Sequence, residues 1–245
     1  MIDQGEIPQQ TEQPLTPEQI AKTDADLTTL SSLTTFAQAN ESVLEVTGGY
    51  AVESHFGGRI TRPHGDIDAV LWIRDASFEQ EAQQNISDIF SKEETNWQPY
   101  DAGKNKEHFI EFREDDPSKK EFKDRRRIEL YTFDKAGIRT LRKMVLVDSK
   151  GEKHEVMVAP IEMTVANIIR IINRPEEERI RRRLRETNDT DRADLKKLIS
   201  HPKFSKNKYL QTMASYLVHK SGGSLTEEQA MAEAEAQWNF AIGQI

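Results

Sequence analysis

Residues 48–72 read GGYAVESHFGGRITRPHGDIDAVLW, running from Gly48 to Trp72. Asp66 opens the run DIDAVLWI, which alternates and then turns continuously apolar to Ile73, the pattern of a buried β-strand. Side chains two apart on a strand share a face, so Asp66 and Asp68 project together. Holding two like charges side by side is unfavourable without a cation. Hard oxygen ligands at that spacing suit Mg²⁺ or Mn²⁺. Two such ions about 3.5–4 Å apart can clamp the attacking and leaving oxygens of an in-line phosphoryl displacement.

The residues just upstream add to this. Gly48-Gly49 falls between a short β-branched run, Val43 to Val46, and a segment with Ala51, Val52 and Phe56 that suits a short helix. Glycines at such a junction let backbone approach a phosphate, and a helix N-terminus favours an anion. Arg62 and His64 directly precede the acids and can offset triphosphate charge. Taken singly, Asp-x-Asp is common where strands begin, a glycine pair more often makes only a tight turn, and each basic residue is more often a surface group. The conjunction in order is what points to nucleotide chemistry.

Gly48-Gly49-Tyr50-Ala51, then Gly58-Arg59, then Thr61-Arg62-Pro63-His64-Gly65-Asp66-Ile67-Asp68 resembles the signature of the polymerase-beta-like nucleotidyltransferases, and within them the aminoglycoside and lincosamide branch. The close match covers about residues 46–72. The resemblance implies an α+β fold: a nucleotidyltransferase-like mixed sheet with helices on one face, followed here by a C-terminal helical domain. It implies a metal-dependent enzyme that uses an NTP such as ATP as co-substrate with Mg²⁺ or Mn²⁺ as cofactor. It further implies that Asp66 and Asp68 bind metal and that a third acid on a neighbouring strand completes the site and can act as base. Glu129, inside RIELYTF, is the local candidate, where many relatives carry Asp; Glu111, inside HFIEFR, is the runner-up. Gly48, Gly49, Arg62 and His64 are the corresponding nucleotide-binding candidates.

Downstream the match loosens. Pro160-Ile161-Glu162 opens a helix on which relatives carry a Lys, but the position here is Asn167, with Arg170 one turn on. Some relatives, including toxins of toxin–antitoxin systems, carry Lys-Asp-x-x-Asp-Leu; this chain has Thr190-Asp191-Arg192-Ala193-Asp194-Leu195. Arg170, Arg183 or Arg185 are the candidates to replace the missing cation, and helix capping is at least as good a reading of Asp191.

The remaining sequence sets the frame. The chain has 245 residues, 36% of them hydrophobic, a net charge of -8 and no cysteine. Thiol nucleophiles, disulfides and thiolate metal sites are therefore excluded, and the acidic total argues against non-specific adhesion to nucleic acid or anionic membrane. MIDQGEIPQQTEQP has neither a basic start nor an apolar run, so no signal peptide is expected, and no stretch is long enough to span a bilayer. A cytoplasmic protein without membrane contact is the expectation.

Residues 1–16 read as a mobile tail, 17–159 as the catalytic domain and 160–245 as the helical domain. Thr16-Pro17-Glu18 predicts a helix start and apolar spacing carries that helix to about Asn40. Residues 77–92 read as helix, 108–113 and 127–133 as paired strands, and 144–147 with 155–158 as a hairpin. Helices are expected at 161–173, 175–186, 190–200, 204–219 and 226–241. The arginines of 179–185 suit a solvated helix paired with Glu176, Glu177 and Glu178, or a surface for triphosphate or RNA. The run at 123–127 adjoins the third-acid strand, so one of its arginines can reach a nucleotide. Trp97, Trp238 and the phenylalanines read as core. The acceptor is read as a small molecule bearing a hydroxyl, with RNA or protein, or a catalytically impaired nucleotide binder, as alternatives.

Overall fold

The computed structural model describes residues 14–74, 76–92, 97–100, 109–114, 127–134, 140–174 and 189–245. Helix α1 (Pro17–Ala39) starts where its sequence says: Thr16 and Gln19 form a reciprocal capping box, and Pro17 sits in the first turn. Strand β1 (Val43–Val46) leads into α2 (Gly48–His55), then β2 (Asp66–Ile73), a short 3₁₀ turn and α3 (Glu79–Lys92). Strands β3 (Trp97–Tyr100), β4 (Phe109–Glu114) and β5 (Arg127–Asp134) follow, then the hairpin of β6 (Arg142–Val147) and β7 (Lys153–Val158). The chain ends in α4 (Ile161–Ile172), α5 (Asp189–Ile199), α6 (Lys206–Lys220) and α7 (Glu227–Ile242).

The strands form one mixed seven-stranded sheet in the order β3-β4-β5-β2-β1-β7-β6. With a helical half after β7, the class is α+β. β2 pairs parallel with β5 and antiparallel with β1, and β1 pairs parallel with β7. The expected pairing of the segments around 109–113 and 127–133 is present as the antiparallel β4–β5 pair. The strand β3 was not expected from sequence. It holds Pro99 and lies at the sheet edge, where a residue without an N–H is tolerated.

Two hydrophobic clusters divide the molecule. The first gathers Leu27, Leu30 and Leu33 of α1 with Ile67, Ala69 and Leu71 of β2, Ile128 and Leu130 of β5, and Tyr50 and Ala51 of α2. The second joins α4, α5, α6 and α7 through Val165, Ile169, Leu195, Tyr209, Met213 and Trp238, and it also takes Val52 of α2. Helix α2 therefore contributes to both.

Some expectations need correction. Burial along β2 alternates to its end, so Val70 and Trp72 belong to the second face of the sheet; the Trp72 indole N–H donates to Glu45 Oε2 at 2.8 Å. Trp97 and Trp238 are core, but Phe133 and Phe240 are exposed, at 44% and 57%. The expected tail lies, up to residue 13, outside the described residues, as do the helix at 175–186 and the arginines of 179–185. No helix among the described residues is long and apolar enough to cross a membrane.

Candidate active site

Register determines what converges on the second face of the sheet. Along β2, Ile67, Ala69, Leu71 and Ile73 turn into the first cluster, which leaves Asp66 and Asp68 on the opposite face. β5 lies beside it with Asp66 opposite Arg127 and Asp68 opposite Glu129. Asp66, Asp68 and Glu129 thus stand on one face of two adjacent strands. On the far side of β5, Glu111 is opposite Glu129, but its buried carboxylate is ion-paired with Arg113. Glu129 is therefore the acid nearer the aspartates and Glu111 has a partner of its own.

Arg127 balances the three acids. Its Nε and Nη2 each lie 2.8 Å from Asp66 Oδ2, and Nε lies 3.1 Å from Glu129 Oε1. One cation for three carboxylates is not enough. Burial, followed by the charges of Asp66 and Glu129, pushes the Asp68 carboxyl up to about 8, against the opposing pull of Arg127; Asp191 adds a smaller push in the same direction. A carboxyl that holds its proton at neutral pH among other carboxylates is a group short of positive charge. The donor set is hard oxygen throughout, so these residues fit a divalent cation of the Mg²⁺ or Mn²⁺ type.

The glycine pair closes on this cluster. Gly48 has φ +60°, in the left-handed region that favours glycine, and a Cβ there would collide with the Asp68 carboxylate. A Cβ on Gly49 would collide with the His64 ring. The Thr47 N–H donates to the Asp68 carbonyl at 2.9 Å, which ties the start of α2 to β2. Thr47 makes no side-chain cap, so the N–H groups of the first turn of α2 are not satisfied by it.

Arg62 and His64 have protein partners. Arg62 Nη2 donates to Asp194 Oδ2 at 2.5 Å, joining the loop before β2 to α5. His64 turns inward, its side chain 3% exposed, with its ring 4.3 Å from that of Tyr50 and Nδ1 3.3 Å from Arg62 Nη1. Burial, with Arg62 and Lys197 nearby, depresses its pKa to about 3, so the ring is neutral and carries no charge toward a phosphate.

Sequence reasoning missed the group that organises this side of the site. Glu53, buried in α2, accepts from Thr61 Oγ1 at 2.9 Å and pairs with Lys197 Nζ at 3.4 Å; His64 Nε2 lies 3.8 Å away. Helix α5 thus turns Asp191, Asp194 and Lys197, spaced three apart, toward the N-terminal half. Thr190 stands where the resemblance noted in the sequence would place Lys, and Lys197 is the lysine of this helix that reaches α2. Arg170, another candidate substitute, lies over the Tyr216 ring at 4.9 Å, while Arg183 and Arg185 fall outside the described residues. The helical spacing of 191, 194 and 197 was the available signal.

No protein-family model matches the chain, and no curated protein matches it. Among solved structures it is similar to the antibiotic-resistance factor ANT(2'')-Ia, at 13% identity and a TM-score of 0.47, covering 82% of this chain and 95% of that one. It is similar to an antigenic nucleotidyltransferase-like protein from Paracoccidioides brasiliensis, at 16% identity, TM-score 0.42, and 90% and 95% coverage. It is also similar to the lincosamide antibiotic adenylyltransferase LnuA, at 13% identity, TM-score 0.37, and 77% and 99% coverage. These are distant likenesses, of shape alone.

Proposed function

We propose that the protein is a nucleotidyltransferase that moves a nucleoside monophosphate from an NTP to a hydroxyl of a small-molecule acceptor and releases pyrophosphate. The observation that carries this reading is the convergence of Asp66, Asp68 and Glu129 on one face, with Asp68 short of positive charge. A binding module would have no use for three crowded acids, which oppose the approach of a triphosphate unless a cation intervenes.

Asp66, Asp68 and Glu129 would hold Mg²⁺ or Mn²⁺. When bound, the ion supplies charge neutralisation for the triphosphate and polarises the oxygens that exchange at phosphorus. The bare backbone at Gly48 and Gly49, opening α2, receives phosphate oxygens through N–H groups and the helix dipole. Glu129, at the strand next to Asp68, takes the proton of the acceptor hydroxyl. The acceptor oxygen then bonds to the α-phosphorus, the bond to the bridging oxygen breaks, and pyrophosphate departs with that electron pair. Arg62 and His64 hold the loop before β2 in place through Asp194 and Tyr50, so their part is to position Asp66. Positioning and charge neutralisation account for most of the catalysis.

Incubation of the protein with each NTP, Mg²⁺ and a panel of hydroxyl-bearing metabolites, RNA and lysate proteins tests this directly. Pyrophosphate should be released and label from an α-labelled NTP should appear on a small molecule. Asp66→Asn and Asp68→Asn should each abolish release. Unchanged release in those variants rejects the mechanism; label confined to RNA or protein rejects the acceptor class; tight NTP binding with no turnover on any acceptor favours a pure binder.

A further inference from the structure

A second cluster of ligand-type side chains lies at the other side of the sheet, at the turn of the β6–β7 hairpin. His154 is on the inner face of β7, opposite Leu146 and next to Val156, beneath α1. A histidine in such a place needs partners for both ring nitrogens. Nδ1 has one, Ser31 Oγ of α1, at 2.8 Å. Nε2 is buried and makes no hydrogen bond, although the side chain is only 9% exposed. It faces Asp148 Oδ2 at 3.7 Å, too long for a hydrogen bond.

Asp148 is fixed by its own turn. Its Oδ1 accepts from the N–H groups of Lys150 and Glu152 at 2.9 and 2.7 Å, and its side chain is 7% exposed. This leaves Oδ2 for His154. Glu152, exposed at the end of the same turn, brings a third ligand atom: one from each of Asp148, Glu152 and His154 all lie within 4.8 Å of one another. Around them opens a polar groove of about 540 Å³ between the hairpin and the hydroxyl-rich flank of α1 at Thr28, Ser31 and Thr35. That volume admits water to complete a coordination shell.

We propose that Asp148, Glu152 and His154 form a binding site for a divalent transition-metal ion, of the zinc type, separate from the acids on β2 and β5. Ligand atoms about 2.0–2.2 Å from a tetrahedral ion stand about 3.3–3.6 Å from each other, so the 3.7 Å between His154 Nε2 and Asp148 Oδ2 is close to a metal's span. An imidazole with two carboxylates selects a transition ion over Mg²⁺ or Ca²⁺. In the tautomer whose Nδ1–H donates to Ser31 Oγ, the Nε2 lone pair is the one presented to the ion, the usual arrangement of a ligating histidine. The ion would close the turn between β6 and β7, beside the bonds by which Ser149 already holds that turn to Asp24 of α1 at 2.6 and 3.0 Å.

The test is zinc titration against a chromophoric chelator, using protein with Asp66→Asn and Asp68→Asn so that the β2 site is silent whatever its function. One equivalent of zinc should bind, and cobalt in its place should give the visible absorption of a tetrahedral ion. His154→Ala should abolish this binding. Glu152→Gln, at an exposed position that leaves the fold intact, should weaken it about tenfold or more, and Ser31→Ala about tenfold, as loss of a ligating histidine's hydrogen-bond partner does. Millimolar Mg²⁺ or Ca²⁺ should not displace the zinc. Absence of stoichiometric zinc binding, binding unchanged in Glu152→Gln and His154→Ala, or displacement by Ca²⁺ at equal concentration overturns the proposal.

Discussion

Replacing Asp68 by Asn should make the metal-free protein more stable, and increasingly so as pH rises. Asp68 ionises near 3.8 in an unfolded chain and near 8 in the folded one, because burial and the charges of Asp66 and Glu129 disfavour its anion. Between those values the folded state holds a proton that the unfolded state has released, so stability falls as pH rises through this window. The gap between 3.8 and pH 7, at 1.36 kcal/mol per unit, comes to about 4 kcal/mol. Asn keeps the shape of the protonated carboxyl but does not ionise. Even half that figure, about 2 kcal/mol, corresponds to about 4–8 °C in melting midpoint for a chain of this size. The assay is thermal unfolding in EDTA from pH 4 to 9. The advantage of Asp68→Asn over the parent should be absent near pH 4, widen to pH 8 and then level off. Adding Mg²⁺ should stabilise the parent by mass action and leave the variant unmoved. A variant that melts with or below the parent at pH 8, or a difference that ignores pH, would show that the acids are not crowded as described.

Three further outcomes can be checked. Arg127→Met, which removes the cation shared by Asp66 and Glu129, should lower metal-free stability by about 1–3 kcal/mol yet tighten Mn²⁺ affinity about tenfold, read by paramagnetic resonance titration; weaker Mn²⁺ binding would refute the competition. Gly48→Ala should cost about 1–2 kcal/mol for the left-handed backbone and reduce pyrophosphate release by about 100-fold by pushing Asp68 aside, whereas Gly65→Ala, with nothing near its Cβ, should do neither. The His64 ring should show flat NMR shifts from pH 5 to 8, since burial holds its pKa at about 3; its contribution to stability is complete above pH 6.5 and lost as pH falls below it, and a midpoint near 6.5 would mean an accessible ring.

What was legible in the sequence was what short range dictates. The helix start at Thr16-Pro17-Glu18, the alternation at the head of β2, and the hairpin turn at Ser149-Lys150-Gly151-Glu152 are each settled by residues within a few positions of one another. Asp66 and Asp68 follow from the same spacing, and Glu129 was reachable because Arg127, Glu129 and Tyr131 alternate with the buried Ile128 and Leu130. Partnerships across the chain had no such signal. Arg62 and Asp194 are 132 positions apart, Lys197 and Glu53 144, and Ser31 and His154 123. Of the charge run at 123–127, Arg127 lies within the described residues, and its guanidinium faces carboxylates.

Because Tyr50 and Ala51 side with the sheet while Val52 sides with the terminal helices, eight residues of α2 are gripped from both flanks. Cutting the chain after residue 159 would strip one flank bare and leave an oily ridge in water beside the glycine turn. Such a fragment should aggregate rather than survive as a smaller folded unit, and the two halves should melt together in a single calorimetric step.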